Sequence, residues 1–456
     1  MAVLQDSAPN MPLAGRGALA MLAVMTGVAM ASLDTAIANT ALPAMATQLH
    51  TTPAGSTWIV NIYQLAMLAT LLPFAALGEI AGFRRVFIGG LVVFTAASLA
   101  CALAWSLPAL VAARFAQGVG ASAVMAVATA LMRTIYPPAL QGRGFGTNAL
   151  VVAIAFAVGP TVASVILAVA SWPWLFALNV PFGIGAVWLA RRCLPDTGRV
   201  MRRFDLVAAF YNTAAFSALV LLFGDVAHGV SPVRWGAELA AAAICFGLLL
   251  RRQRGHPFPL LPVDLFRSPL FTLSALTSVC AFAVQGLCFV SLPFYFESIG
   301  RSAIDTGFLM TPWPALVAVM APMAGRLSDR WSPAVLGGIG LAVLGAGVMA
   351  LVLLPAAPSA PDIAWRMALC GVGFGFFQAP NMKAIMASAP ASRAGGASGV
   401  VAMARLMGQA TGVALVAGCF MLTGGAGPRV GLMVAVALAG AGAGASLLRL
   451  KCGVKG

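Results

Sequence analysis

Three ionisable residues stand in apolar runs where an ordinary helix would carry none. Asp34 lies in the stretch 17–40, Arg114 in 108–132 and Arg405 in 398–422. A charge surrounded by hydrocarbon is costly, so such a residue normally faces a cavity or a partner. Desolvation raises the proton affinity of a carboxyl and a neighbouring cation lowers it. Asp34 therefore has the chemistry to take up a proton in one state and release it in another; the other reading is a static ion pair that fixes helix packing. The guanidinium of Arg114 keeps its proton and needs a carboxylate or backbone carbonyls. Asp34 is one candidate partner, and capping of carbonyls at a kink is the alternative. Arg405 is expected to line a cavity, repelling cations or holding an anion. Gly408 and Gly412 follow it at a spacing that permits close helix approach. Lys383, after Gln378, Pro380 and Asn381, is expected to snorkel to the nearer surface. Gly159-Pro160 interrupts another apolar run, where proline removes an amide donor, crowds the carbonyl of Phe156 and predicts a bend. Trp58, Tyr63, Phe282, Phe289, Phe294, Tyr295, Phe296, Trp313, Phe374, Phe376 and Phe377 either face lipid, the expectation for most of them, or stack on a flat or cationic ligand.

The elements that must carry these residues follow from composition. The chain has 456 residues, 61% hydrophobic and only 9% charged, against about 25% charged for soluble proteins. Its mean hydropathy is +0.95. So few charges cannot coat a soluble surface, and an integral membrane protein in a lipid bilayer is expected. The net charge of +15 would ordinarily raise nucleic-acid binding; here the basic residues sit in short loops between apolar runs, where topological sorting accounts for them. No nucleic-acid partner is expected. The eight cysteines are scattered, with no CxxC and no Cys/His cluster, so no metal, no cofactor and no disulfide framework is expected. No cleavable leader is evident.

A bilayer-spanning helix needs about 20 apolar residues. Fourteen spans are expected near 17–40, 57–78, 86–105, 108–132, 147–170, 174–190, 206–224, 236–250, 270–294, 304–324, 334–354, 364–386, 398–422 and 430–449. With the N-terminus in the cytoplasm, roughly twenty of the 27 basic residues fall in inner loops and termini, Arg449 among them. The outer loops hold Arg234, Arg301, Arg366 and Arg429. Both termini are thus expected inside a cell membrane, the bacterial inner membrane. Leu77–Arg85 and Gly325–Arg330 end the second and tenth spans in similar acid-and-arginine turns, so two six-helix halves with an inserted pair are expected. The division is an N-terminal bundle over 1–203, a two-helix linker over 204–268 and a C-terminal bundle over 269–456. Duplicated halves with a site at their interface are a recurring transporter design.

An ordered set of motifs resembles the major facilitator superfamily, in particular its fourteen-helix drug/proton antiporters of the EmrB/QacA type. Leu33-Asp34-Thr35-Ala36-Ile37-Ala38-Asn39-Thr40-Ala41-Leu42-Pro43 is similar to the family's L-D-x-T-[IV]-V-N-x-A-L-P element. Trp58 to Tyr63 resembles its W-x-x-x-x-Y, Arg114 to Gly120 its R-x-x-Q-G-x-G, and Trp172 to Gly183 its W-x-W-x-F-x-x-N-x-P-x-G. Gly159-Pro160 matches the core of the antiporter motif, Phe204-Asp205 opens the extra pair, and Gly399 to Gly412, with Arg405, resembles the thirteenth-helix pattern. Departures are Ala75, Glu79 and Ile80 in the turn after the second span, where the family has glycine, aspartate and arginine. Ala163 and Ser164 stand for two glycines, and Ala402 for an asparagine.

The resemblance implies an all-α major facilitator fold and proton-coupled export of hydrophobic drugs or biocides, cationic ones among them, by alternating access. It implies Asp34 and Arg114 as the coupling pair. Trp58, Tyr63, Gln117, Phe289, Gln378, Asn381 and Arg405 are cavity candidates. Glu79, Gly82, Arg84, Arg85, Asp329 and Arg330 form a conformational gate, and Gly159 and Pro160 a kinked interface helix. The expected partners are a small-molecule substrate, protons and lipid, with the chain a monomer. No Walker-type G-x-x-x-x-G-K-[ST] run argues for an ATP-driven pump. Two other readings stand: a transporter of one metabolite, as exporter or proton symporter, and a membrane sensor that binds without transporting. An enzyme is not expected, because no nucleophile, paired-carboxylate or metal cluster is visible.

Overall fold

The computed structural model describes residues 15–136, 141–197, 204–227, 231–253, 263–355, 357–390 and 394–452. The first part of the chain folds into α1 (Arg16–Gln48), α2 (Pro53–Ser56), α3 (Trp58–Ala81), α4 (Phe83–Ala102), α5 (Leu107–Ile135), α6 (Gln141–Val169), α7 (Pro173–Ala177) and α8 (Asn179–Cys193). Then come α9 (Leu206–Ala227) and α10 (Pro232–Gln253). The last part, after a 3-10 turn at Val263–Arg267, holds α11 (Pro269–Ser298), α12 (Ala303–Met310), α13 (Pro312–Leu327), α14 (Pro333–Val352), α15 (Ala360–Ala387), α16 (Ala394–Thr423) and α17 (Gly427–Cys452).

Each expected span meets a helix or two consecutive helices: the second meets α3, the sixth α7 and α8, the tenth α12 and α13. Eleven stretches are long and apolar enough to cross a membrane, with α16 and α17 counted as one and only a short apolar run recognised in α9. α15 falls outside this set; Asp362, Arg366, Gln378, Asn381 and Lys383 dilute its apolar character. In lipid every backbone polar group must be satisfied internally, so these apolar runs have little choice but helix. Local signals mark where helices start. Ser106, Ser268 and Ser359 each accept a bond from the amide three residues on. Ser302 and Asp305 form a reciprocal capping box at α12. Gly82, at φ 96°, separates α3 from α4 in a conformation that any other residue would strain to adopt.

The first eight helices pack together around α1, α3, α4 and α5, and the last seven around α11, α14, α15 and α17. α9 and α10 pair with each other, and α9 also rests on α3 and α16, one helix from each part. Side-chain bonds define two ends. At one end Arg84 meets Asp196 at 2.8 Å and the Arg191 carbonyl at 2.6 Å, and Lys383 meets Asp329 at 2.5 Å and the Ser328 carbonyl at 2.9 Å. At the other end Arg301 meets the Pro358 carbonyl, Arg366 meets Asp362 and the Ala350 carbonyl, and Arg429 donates to the Val352 carbonyl at 3.1 and 2.9 Å. Three arginines expected in outer loops therefore serve as clamps on carbonyls, two in the last turn of α14 and one in the loop that follows it. The fourth, Arg234, pairs with Asp225 at 2.6 Å.

Two expectations are corrected. The aromatics of the second part mostly turn inward, away from lipid. Phe282, Phe289, Phe294, Tyr295, Phe296, Trp313, Phe374 and Phe377 are all buried, and several meet edge to face. The large helix interfaces there need volume, and edge-to-face pairs fill it favourably. Arg449, expected in a solvated terminus, is 1% exposed. It donates to Ser274 Oγ at 3.0 Å, to Asn381 Oδ1 at 2.7 Å and to the Ser446 hydroxyl. Helix α17 carries it inside the bundle, where neutral oxygens satisfy it. Arg143, Arg199, Arg202, Arg203, Arg254, Arg393 and Lys455, counted in the inner loops and tail, have side chains outside the described residues.

Candidate functional site

The site is built on α1, α3, α4, α5 and α8. Asp34 on α1 is 2% exposed and Arg114 on α5 is 0% exposed. Arg114 Nη1 donates to Asp34 Oδ2 in a short contact and to Gln117 Oε1 at 2.6 Å, one helical turn on. Its Nε donates to the Ile59 carbonyl on α3 at 3.0 Å. Gln117 Nε2 and Asn179 Nδ2 donate to Asp34 Oδ1 at 2.8 and 3.0 Å. Gln117 Nε2 also reaches Ser98 Oγ at 2.9 Å. The Arg114 guanidinium lies 4.2 Å from the Tyr63 ring centroid and 5.4 Å from that of Phe176. Its Nη2 has no hydrogen-bond partner among the described residues.

A buried charge pair holds only when further hydrogen bonds satisfy it, and here the carboxylate is better supplied than the guanidinium. Neutralising Asp34 would leave Arg114 a buried cation with weak partners. The network therefore ties the way α1 and α5 hold each other to the charge on Asp34. Asn179 and Ser98 escape sequence reasoning: neutral amides and hydroxyls are unremarkable in apolar helices. The only signal was the place of Asn179 in the Trp172–Gly183 motif.

Tyr63 joins this network to a second feature. Its hydroxyl donates to the Ala31 carbonyl at 3.2 Å, and its ring also borders a small cleft between the two halves. The cleft holds about 20 Å³, room for one small polar group, and is lined by α1, α3, α5, α6 and α16. Arg405, Gln64 and Gln409 line it beside Ser32, Thr35 and Met67. Gln64 Oε1, both polar atoms of the Asn61 amide and Asn39 Oδ1 are buried without a partner among the described residues.

The other candidates sit elsewhere. Phe289 packs on Trp313 at 5.4 Å, and Asn381 is bound to Arg449 and Ser278; neither lines the cleft. Both are held in the interior of the second bundle, so the structure does not bring them together with Arg405 and Tyr63. Gln378 is half-buried on α15 and Trp58 half-buried at the start of α3. Glu79, Arg85, Asp329 and Arg330 are exposed at the ends of their helices, with Arg84 partly covered by its Asp196 contact. Lys383, instead of snorkelling freely, ties α15 to the turn after α13.

Gly159 and Pro160 lie in an uninterrupted α6. Gly159 abuts Ala36 of α1, close enough that any side chain there would collide with it. Farther along, Ser164 Oγ donates to the Ala303 carbonyl at 2.8 Å, and Thr161 and Thr311 share a bond of 2.8 Å. Gly307 of α12 is pressed against Ser164 and the Pro160 carbonyl. The interface helix thus seals the halves at the end remote from Arg84 and Lys383. Gly408 and Gly412 bring α16 onto the backbone of α11.

Two helical bundles closed over a polar centre, with a buried ion pair beside their interface, define a multi-pass membrane carrier. The model of the Major Facilitator Superfamily matches residues 24–413, and the chain belongs to that superfamily. Over 434 residues it is 50% identical to the "Uncharacterized transporter YebQ" of Escherichia coli K12, covering 94% of this chain and 95% of that one. It is 28% identical to "Riboflavin transporter RibZ" of Clostridioides difficile, over 88% of each chain. It is 30% identical to "Multidrug resistance protein Stp" of Mycobacterium tuberculosis, over 87% of this chain and 74% of the relative. In fold it is similar to a bacterial homologue of the human lysosomal transporter Spinster in an inward-facing, unoccupied conformation. That match has a TM-score of 0.70 at 14% identity and covers 96% and 98% of the two chains. A superfamily member of this kind moves a small molecule across a lipid bilayer.

Proposed function

We propose that the protein is a proton-coupled exporter of hydrophobic small molecules, drugs and biocides among them. It works by alternating access as a monomer of the fourteen-crossing drug/proton antiporter type. The bundles of 1–203 and 269–456 rock about the pair within 204–268, and both termini face the cytoplasm of a bacterial inner membrane. The observation that carries this reading is the buried Asp34–Arg114 pair, joined through Tyr63 to a cleft between the halves. Protonation of Asp34 loosens α1 from α5, and Tyr63 transmits the change to the bound molecule. Glu79, Gly82, Arg84, Arg85, Asp329 and Arg330 serve as the gate at the basic end. The multidrug relative supports the export reading.

The test is dye efflux from energised cells, with ethidium and carboxyfluorescein as probes, comparing wild type, Asp34→Asn and empty vector with and without a protonophore. Export by the wild type alone, abolished by the protonophore, is the expected result. Equal export by Asp34→Asn would reduce the pair to a packing role. A second reading, a carrier of one polar metabolite, is favoured by the amide-lined cleft and by the riboflavin-transporting relative. Absence of export for both dyes would move the weight to it, to be followed by untargeted comparison of the medium.

A further inference from the structure

The buried charges are divided unequally between the ion pair and the cleft. Among the described residues Asp34 is surrounded by the donors of Arg114, Gln117 and Asn179 and does not line the cleft. Arg405 does line it, is half-buried in the middle of α16, and takes part in no hydrogen bond or ion pair among the described residues. A guanidinium in a protein interior at membrane depth is retained at a cost unless an acceptor joins it. Facing the same space is Gln64, 2% exposed, whose Oε1 has no partner among the described residues. Gln409 completes the polar wall, held by its bond to Gln285 at 3.1 Å. Ser32, Thr35 and Tyr63 add hydroxyl-bearing side chains, and the rest of the lining is apolar, Met67 and Leu406 among it.

Building on the exporter reading above, we propose that this cleft is the head-group subsite for an amphipathic organic acid. The ligand's carboxylate docks on Arg405, and its apolar body extends between the halves. The planar guanidinium fork matches a carboxylate in two parallel hydrogen bonds. The Gln64 amide turns to present its N–H to the same group. A cationic head group would meet Arg405 with no carboxylate available to offset it, because the nearby Asp34 is consumed by Arg114. Bound acid and protonatable Asp34 would be linked through Tyr63, which borders both.

The test uses the full chain purified in detergent and three probes with one aromatic body: 1-naphthaleneacetate, 1-naphthaleneacetamide and 1-naphthylethylammonium. Binding is read by tryptophan fluorescence and by the shift in unfolding temperature. The wild type is expected to bind the acid at least tenfold more tightly than the amine, with the amide between them. Arg405→Gln is expected to lose that tenfold preference while keeping amide affinity within about twofold, and Arg405→Lys to recover most of it. Equal or tighter binding of the amine by the wild type would overturn the proposal. So would undiminished acid binding by Arg405→Gln, or no binding of the acid at millimolar concentration. The first and last outcomes need only the wild type, so they stand if the variants misfold. Binding is measured without a proton gradient, so a failure of the export reading leaves this result legible, and the reverse holds for protonophore-sensitive efflux.

Discussion

At the scale of single residues, the Asp34–Arg114 pair sets the energetics. Removing one member of a buried pair strands the other charge and typically costs about 3–5 kcal/mol, whereas replacing both by apolar groups is often neutral. Asp34→Asn and Arg114→Met are each expected to lower the unfolding temperature in detergent, and the double variant to recover a large part of the loss. The coupling energy from that double-mutant cycle is expected to exceed about 1 kcal/mol. Additive single effects would mean that the contact contributes little. Transport is expected to fail in all three variants, which separates stability from function. The two charges were conspicuous in the sequence because hydrocarbon tolerates so few. What surrounds them was not: Ser98, Gln64 and Asn179 are ordinary residues for a membrane helix, and only packing brings them to the charges. Aromatic residues misled for the opposite reason, since Phe374 or Trp313 suits a lipid face and a bundle core equally well.

At the scale of elements, α6 shows how small residues make a movable seal. Ala163 and Ser164 replace two glycines of the resembling motif, yet Ser164 still fits by pressing on Gly307 and bonding to the Ala303 carbonyl. The required smallness has passed to the opposing helix, a compensation that a motif on α6 alone cannot reveal. Gly307→Val should wedge α12 away from α6, because the colliding partners include the Pro160 backbone carbonyl, which cannot swing aside. Transport is expected to fall at least tenfold, and a cysteine at Thr161 to become reactive to a membrane-impermeant maleimide; unchanged reactivity would show that the contact is dispensable. The inserted pair gives a second test. Arg252 Nε holds Asp205 at 2.9 and 3.0 Å. Partial burial pushes the Asp205 carboxyl up, but the Arg252 bonds and the Ala208 amide outweigh it and hold the group below its ordinary range. A carboxyl depressed in the folded state stabilises it above the unfolded pKa, near 3.9, and loses that contribution as pH falls below it. Hydrogen exchange at residues 205–209 is therefore expected to gain protection between about pH 3 and pH 5 in the wild type, after correction for intrinsic rates, and to show no such step in Asp205→Asn.

At the scale of the whole molecule, the distribution of the core decides which conformer this is. One apolar cluster runs without a break from Ile37, Leu42 and Phe176 of the first half into Leu292, Met310 and Trp313 of the second. At the end carrying Arg84 and Lys383 the halves keep separate clusters, one around Phe87 and Leu131 and the other around Phe271 and Ile385. The halves are thus sealed at one end and individually packed at the other. A bundle of apolar membrane helices could be read from the sequence, but not which end is closed, because both conformers use the same helices and differ only in which faces meet. If the halves rock, the closed-end contacts must break as the separate clusters approach each other. Paired spin labels can follow this: Arg191→Cys with Ala387→Cys at the basic end, and Leu103→Cys with Leu353→Cys at the other, all exposed positions. Within one sample, the basic-end distance is expected to shorten and the opposite-end distance to lengthen as Asp34→Asn, a mimic of the protonated carboxyl, replaces the wild type. A shift at one end alone would indicate local gating in place of rocking. Distances that respond neither to Asp34→Asn nor to pH would disconnect the buried pair from the conformational cycle.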